Sequence, residues 1–452
     1  MTSSSSCHKK GRRIDIPVNM SFADYVKTKG DSEKDSGHQR KKLRASIEDR
    51  LTVDGACGRI LRSMDLNLED GQTYKWHFLH PCALLCELCK LCSSLGDLIN
   101  QVHQGKMQLA FYQDEIKPGN ILRPDQGRTV ACWYWTIVQL PQWFQTRREG
   151  YFFFGAFPTK LLQVLQGGYS YLFARILSVF FELEEPVNFT TGFPLTCSKG
   201  YFLCKGTFSI LMSDEKAIKE LWLLRGASGT KPCCLCQNVL GHMNKDNLPL
   251  DGRWLVHYAC PDRTKFAKHT SASYRAMRDH LERLARSKKE LNKFGQVYGL
   301  QYDPKGVLWH PTLRDLICPV QHTMYDWMHV LVASGGVAQY EVNGFLTAVQ
   351  SIGIKLEQVD AFASAVATPK SRGRLPKKFF ADRYNPEEKS HIKCFAGELL
   401  TAIPILVLFC EIVLQPCGQL LRHSLCLRYM ADILDILTHH ITMLCNWFQS
   451  SR

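Results

Sequence analysis

The chain has 452 residues, 45% of them hydrophobic and 22% charged, enough apolar sequence for a large buried core and too much for a wholly disordered or fibrous protein. Its 56 Lys and Arg against 42 Asp and Glu leave a formal charge of +14, so a polyanion, nucleic acid first, is the partner to consider. The opening "MTSSSSCHKKGRRIDIPVNM" lacks the apolar core of a secretory signal, which favours an intracellular chain whose 19 cysteines are thiols or metal ligands rather than a disulfide frame.

In chain order, residues 1–50 are polar and mixed-charge with basic clusters "HKKGRR" and "RKKLR", the composition of a disordered basic arm. Residues 51–105 read as a helical N-terminal domain, because apolar residues from Gly55 to His103 recur at helical spacing. Within it Cys82, Cys86, Cys89 and Cys92 share one helix stripe and read as packed thiols. Residues 106–225 change period. "KMQLAFYQDEI", "RTVACWYWTIVQL" and "YFFFGAF" are three strand-like runs, followed by a helical stretch from Thr159 to about Glu184 and a further strand from Thr207 to Met212.

Three strands, a helix and a strand is the order of a ribonuclease-H-like α/β core. It ends its first strand on Asp114 and carries Asp214 just after the fourth. Residues 226–378 form an insertion with a cysteine knuckle, a basic helix "YRAMRDHLERLARSKKELNKFG", "QHTMYDWMHVL" and the basic loop "TPKSRGRLPKK". Residues 379–452 are C-terminal helices. Their apolar run "LLTAIPILVLFCEIVLQP" is interrupted by Pro404 and Glu411, so it reads as a core helix, and no membrane partner is expected.

Two carboxylates at neighbouring strand ends suit a pair of Mg²⁺ ions, because hard cations take oxygen ligands and leave room for phosphate oxygens. Asp114 and Asp214 are the first two such acids. The third is expected from Glu398 on a helix packed across the sheet, with Glu387, Glu388 and Glu411 as rivals. Each acid has a structural reading as well: Asp114 as a turn acid, Asp214 as the N-cap of a helix from Glu215, Glu398 as a helix-surface charge.

Cys233 and Cys236 have the C-x-x-C spacing that grips one tetrahedral zinc, with Cys234 a packed bystander. The second pair is open between His322 with His329 and His257 with Cys260; alternatively, Asp326 and His329 brace the catalytic metals. Basic candidates for phosphate contact are Arg372, Arg374, Lys377 and Lys378 in the loop, and Arg283, Arg286, Lys288 and Lys289 on the basic helix. Trp222 and Trp327 are either core residues or stacking partners for an unpaired base.

"FYQDEIKPGN" with "WYWTIVQLP", then "SDEKAIKELWLLRGASGTKPCCLC", "YDWMH" and "KCFAGELL", resemble in order the segments of the CACTA/Chapaev-type DDE transposases that carry the two aspartates, the knuckle, a D-x-x-H element and the final glutamate. The spacing from Asp214 to the knuckle also resembles that of the recombination-activating recombinase of immune cells. The resemblance covers roughly residues 60–415 and implies a nuclear enzyme with a ribonuclease-H-like DDE core, an inserted zinc-knuckle and helical domain, and flanking helices. It implies Mg²⁺- or Mn²⁺-dependent cleavage and transfer of DNA strands at a mobile element's terminal repeats, through Asp114, Asp214 and Glu398. It further implies a structural Zn²⁺ on Cys233, Cys236, His322 and His329, and a homo-oligomer bound to element and target DNA. A catalytically silent transposase-derived DNA-binding or scaffold protein is the alternative, and a zinc-stabilised interaction module without nucleic acid a third.

Overall fold

The computed structural model describes residues 49, 51–52, 54–103, 105–117, 129–145, 147–182, 186–225, 231, 234–241, 255–257, 260, 262–333, 335–368, 373–387 and 390–439. All but residue 49 of the expected basic arm lies outside the described residues, as do Cys233, Glu388 and Arg372.

The N-terminal part is not all helical. Before its helices the chain forms an antiparallel hairpin, β1 (Leu61–Asn67) and β2 (Thr73–Leu79). In "TYKWHFL" Trp76 and Phe78 are buried while Lys75 and His77 are exposed, the two-residue period of a strand. Helices α1 (Pro81–Leu91) and α2 (Ser93–Val102) follow. Of the cysteine stripe, Cys82 and Cys89 are fully buried and Cys92 is exposed at the end of α1. Cys86 departs from the expectation of unbridged cysteines. A tight turn between the two-residue strands Asp54–Gly55 and Gly58–Arg59 carries Cys57 onto α1, and the two are joined in a disulfide.

The centre is a mixed sheet of five strands with helices packed around it. Strands β3 (Met107–Ile116), β4 (Val130–Ile137) and β5 (Phe152–Pro158) form an antiparallel meander. The helical stretch expected next is two helices, Thr159–Leu162 and α3 (Gly168–Phe181), because Gly167 and Gly168 both take positive φ (76° and 53°) between them.

An unexpected hairpin, β6 (Phe193–Cys197) with β7 (Gly200–Cys204), then precedes β8 (Gly206–Ser213), which pairs parallel to β3. The fifth strand, β9 (Thr323–Tyr325), joins from the far side of the insertion and pairs parallel to β8. The order across the sheet is therefore β9-β8-β3-β4-β5.

One face of this sheet is closed by α3. Phe173 stacks on Trp133 at 5.4 Å, and Phe180 meets Phe111 at 4.7 Å and Trp135 at 5.5 Å, edge to face. Each such buried ring gains roughly 1.5–3 kcal/mol over an exposed one, so this layer fixes the sheet's curvature and strand ends. The hairpin β1–β2 extends the same core, since Trp76 packs on Phe154 and donates its indole N–H to the Ala156 carbonyl at 2.9 Å.

After β8 come α4 (Glu215–Leu221) and then, in place of one basic helix, α5 (Ser271–Arg283) and α6 (Lys288–Tyr298). Ser287 starts α6 afresh, its hydroxyl accepting from the Glu290 amide at 3.4 Å. Following β9, the short helix α7 (Trp327–Leu331) leads to α8 (Val337–Ser351), α9 (Leu356–Ala365), α10 (Ala396–Phe409) and α11 (Leu421–His439).

These helices enclose a second apolar cluster, with Leu399, Ala402, Ile403 and Leu406 of α10 at its centre. By length and composition, the helical stretch from Ala396 to Cys417 is apolar enough to cross a bilayer; half of its most apolar window is buried within the protein. The buried residues of the first cluster run to Cys318 and those of the second begin at Val332, on either side of β9.

Candidate active site

The acids at the sheet's edge follow from strand register. Met212 of β8 lies opposite Tyr112 of β3 on one side and Met324 of β9 on the other, and Ser213 lies opposite Tyr325. Two residues on from that row stand Asp114, Asp214 and Asp326. The ladder continues that far, because the Asp326 amide donates to the Ser213 carbonyl at 3.1 Å, and the Ser213 hydroxyl bonds the Gln113 carbonyl and side chain at 3.0 and 2.9 Å. Parallel neighbours lie about 4.8 Å apart, so the three aspartates stand at one level across three adjacent strands: Asp114 within β3, which runs on past the expected end to Ile116, and Asp214 and Asp326 just past the ends of β8 and β9.

Two-residue alternation puts this row on the face away from α3. The odd-numbered residues of β3, from Phe111 to Glu115, meet α3, where the Tyr169 hydroxyl donates to Glu115 at 3.3 Å. Tyr112 and Asp114 look the other way, toward Tyr134 and Tyr151. Burial, with the charges of Asp114 and then Asp326, pushes the Tyr112 phenol well above its usual range. Burial, with Glu115, Glu220 and Asp214 after it, does the same to Tyr169. Burial, then the charges of Glu115 and Asp214, raises Glu220 against the pull of Lys216. Asp114 and Asp326 therefore act together on Tyr112, whereas Asp214 acts on Tyr169 and Glu220.

All three carboxylates are engaged locally, Asp114 through Oδ1, which accepts from the Glu115 amide at 2.8 Å. Asp214 is the N-cap of α4, Oδ1 accepting from the Ala217 amide at 2.7 Å. Asp326 is the N-cap of α7, Oδ1 accepting from the Met328 amide at 2.9 Å, while Oδ2 pairs with His329 Nδ1 at 2.7 Å. The structural and catalytic readings of Asp214 thus concern different oxygens of one group. Among the described residues no three His, Cys, Asp or Glu side chains are gathered into a ready-made metal cage.

No protein-family model matches this chain, and no curated protein matches it in sequence.

The other expected residues fall as follows. Glu398 lies in the first turn of α10, where its Oε2 accepts from the Phe395 amide at 2.9 Å and Oε1 sits 3.8 Å from Arg383. These contacts belong to the second apolar cluster; none of them is to Asp114 or Asp214. Among its rivals, Glu411 pairs with Arg428 and the Glu387 backbone closes a turn on Asn385. Trp222 is a core residue: it is fully buried, and its indole N–H donates to Thr323 Oγ1 at 2.8 Å. Trp327 is half-buried against the second cluster.

The knuckle meets the sheet through the cysteine taken as a bystander. Cys234 is buried with its sulfur 3.7 Å from the Tyr325 hydroxyl of β9. Cys236 forms a bridge with Lys268, and His257 lies opposite Leu240 with the Cys260 amide bonded to its carbonyl at 3.0 Å. His322 Nδ1 accepts from the Cys318 amide at 3.0 Å and its ring stands on Phe208. His329 is held by Asp326.

Arg374, Lys377 and Lys378 are exposed ahead of α10, as are Arg286 and Lys288 between α5 and α6. Arg278 on α5 is instead buried against Asp279, Asp315 and the Arg314 carbonyl.

The residue that sequence reasoning underrated is Asp326 as a strand-end acid. Its signal was a repeated pattern: "ILMSD" precedes the short helix "EKAIKEL", and "HTMYD" precedes "WMHVL". In both, an apolar strand stops on an aspartate that caps a helix.

Proposed function

We propose that this protein is a DDE-type DNA transposase, or derives from one, and acts on phosphodiesters through a divalent metal bound at the row of Asp114, Asp214 and Asp326. The observation that carries this reading is the in-register row itself, which sets one acid on each of three adjacent parallel strands, within β3 and just past β8 and β9. The strand order supports it, since a meander extended by two parallel strands beyond its first strand is the sheet that a ribonuclease-H-like core requires. The motifs that resemble CACTA/Chapaev-type transposases fall on this row: "FYQDEIKPGN" around Asp114, "SDEKAIKEL" from Asp214 and "YDWMH" around Asp326.

The residues fit a hard cation in kind, being carboxylates alone, and Mg²⁺ or Mn²⁺ bound there would activate a water or 3′-hydroxyl and steady the leaving oxygen. The protein's own groups have separate tasks. Asp114 and Asp214 bind; the helix amides at Ala217 and Met328 fix two of the carboxylates in orientation; His329 holds Asp326; the neutral Tyr112 hydroxyl donates toward the row. For the third acid the register favours Asp326, whereas the resemblance implies Glu398. A structural Zn²⁺ on Cys233, Cys236, His322 and His329 is what the resemblance implies, and no step is derived from it. Nuclear DNA ends and target DNA are the partners that go with this reading.

A second reading, a transposase-derived DNA-binding protein without catalysis, is favoured by the capped state of Asp214 and Asp326, whose carboxylates are committed to helix starts. Divalent-dependent nicking of labelled DNA separates the two. The protein is compared with Asp214→Asn, Asp326→Asn and Glu398→Gln in Mg²⁺ and Mn²⁺. The enzyme reading expects nicking that needs metal and falls by about a hundredfold or more in Asp214→Asn. Loss in Asp326→Asn but not Glu398→Gln selects the strand-end acid, and the reverse selects the helix acid. Nicking that survives Asp214→Asn would sink the assignment, and intact DNA binding with no nicking in the unaltered protein would select the silent relative.

A further inference from the structure

Helix α11 packs inward with Ser424, Leu427, Met430 and Leu434, all buried. Its opposite face carries Leu421, Leu425, Tyr429, Ile433 and Ile436, which are between 44% and 58% exposed. At 100° per residue these five fall within about 120° of arc, centred opposite the packing stripe, and they run for about 22 Å along the helix. An apolar band of this kind exposes on the order of 500 Å² on one chain, at the top of what a monomer leaves bare.

Charge is divided along the same helix. The first half bears Arg422, with Arg428 already paired to Glu411 of the same chain, and the second half bears Asp432 and Asp435. A second α11 laid parallel would set like charges against each other, whereas an antiparallel one sets the basic half against the acidic half. The band is also self-complementary in that sense: turned about Tyr429, Leu425 meets Ile433, and Leu421 falls opposite Leu437, next to Ile436. Two such faces bury on the order of 1,000 Å² together, where specific two-fold interfaces begin.

We infer that the outer face of α11 is a contact between two copies of this chain, paired antiparallel about Tyr429. The inference does not depend on the DNA reading, because it uses neither the acid row nor the basic loop. The occupant is a second copy rather than an unrelated apolar partner, since the charge halves match each other.

Sedimentation equilibrium of the full chain over a wide concentration range tests it, with thermal melting as the check on folding. The protein is expected to dimerise, and Tyr429→Glu to weaken the dimer by about tenfold or more with an unchanged melting temperature. Arg422→Asp and Asp435→Arg should each weaken it, and the two together in one chain should restore it. That restoration keeps the test decisive if Tyr429→Glu fails to fold, because indiscriminate apolar association would not respond to a charge exchange. A monomer at every concentration overturns the inference. So does a dimer indifferent to Tyr429→Glu and to the single charge reversals. If removing residues 440–452 converts a monomer to a dimer, the chain's own last residues cover the face, and the inference falls equally.

Discussion

Asp214 caps α4, and under the proposed function the same carboxylate would bind metal, so substitutions pull the two roles apart. Asparagine keeps an oxygen that can accept from the Ala217 amide, while alanine removes it. Asp214→Asn should therefore melt close to the unaltered protein, and Asp214→Ala should lose about 1 kcal/mol, read as a lower urea midpoint. An equal loss in both would mean that the charge, not the cap, is what α4 needs.

Histidine burial sets a pH response at the same scale. Burial, reinforced by Arg62, pulls His80 down to about 3, and burial with Lys231 pulls His269 to about 4. Unfolded histidine titrates near 6.5, so below that pH the unfolded chain binds more protons than the folded one and stability rises with pH across the interval. Between about pH 7 and about pH 5 the protein should lose stability, approaching about 1.4 kcal/mol per unit per histidine below 6.5. His80 accepts from the Ala83 amide at the start of α1, a role asparagine can fill. His80→Asn should accordingly remove about half of this acid sensitivity in urea titrations; an unchanged slope would place the sensitivity elsewhere.

At the scale of elements, two helix glycines make opposite predictions. A Cβ on Gly96 of α2 would stand 2.0 Å from the Thr196 carbonyl oxygen of β6, so Gly96→Ala must push the helix off the hairpin and cost about 1–3 kcal/mol. Gly344 of α8 has nothing within 4 Å of its Cβ position and is exposed, so Gly344→Ala should gain about 0.5–1 kcal/mol from helix propensity. Melting temperatures that move in the same direction would contradict this account.

The elements legible in the sequence were those with long periodic runs. "KMQLAFYQDEI", "RTVACWYWTIVQL" and "YFFFGAF" read as strands because each alternates or is continuously apolar over seven or more residues, and each is a strand. The hairpin β1–β2 was hidden by cysteines and leucines that fit a helical period equally well, and β9 by its length of three residues. For the same reason the row of acids was two-thirds legible. Asp114 lies in a recognisable strand and Asp214 just follows one, whereas the run before Asp326 is three residues long and takes its strand character from pairing with β8. Glu398 was chosen by its position ahead of an apolar helix, and the local signal there, an acid in the first turn, belongs equally to a capping box.

For the whole molecule the dominant quantity is the charge of +14. Much of the exposed positive charge lies where an approaching polyanion can reach it, including Lys377 and Lys378 beside α10 and Arg286 and Lys288 at the turn between α5 and α6. If these residues neutralise phosphates, DNA affinity should fall steeply with salt, and Lys377→Gln with Lys378→Gln should flatten the slope of log K against log salt by up to about 2. Fluorescence anisotropy at several salt concentrations reads this directly. A weakened affinity with an unchanged slope would make these lysines shape-determining rather than phosphate contacts.

The three residues of β9 carry a consequence in time. The sheet cannot gain its last strand until the chain has run from Ser213 to Thr323, folded the knuckle that sets Cys234 on Tyr325, and returned to lie beside β8. Closing so long a loop costs entropy before any pairing rewards it, and strand pairing at this separation in sequence is slow. During synthesis β3 and β8 can therefore pair long before β9 arrives, and a half-made chain holds Asp114 and Asp214 without Asp326. If the row acts as proposed, its third acid is withheld from the nascent chain until the insertion has been read through and docked.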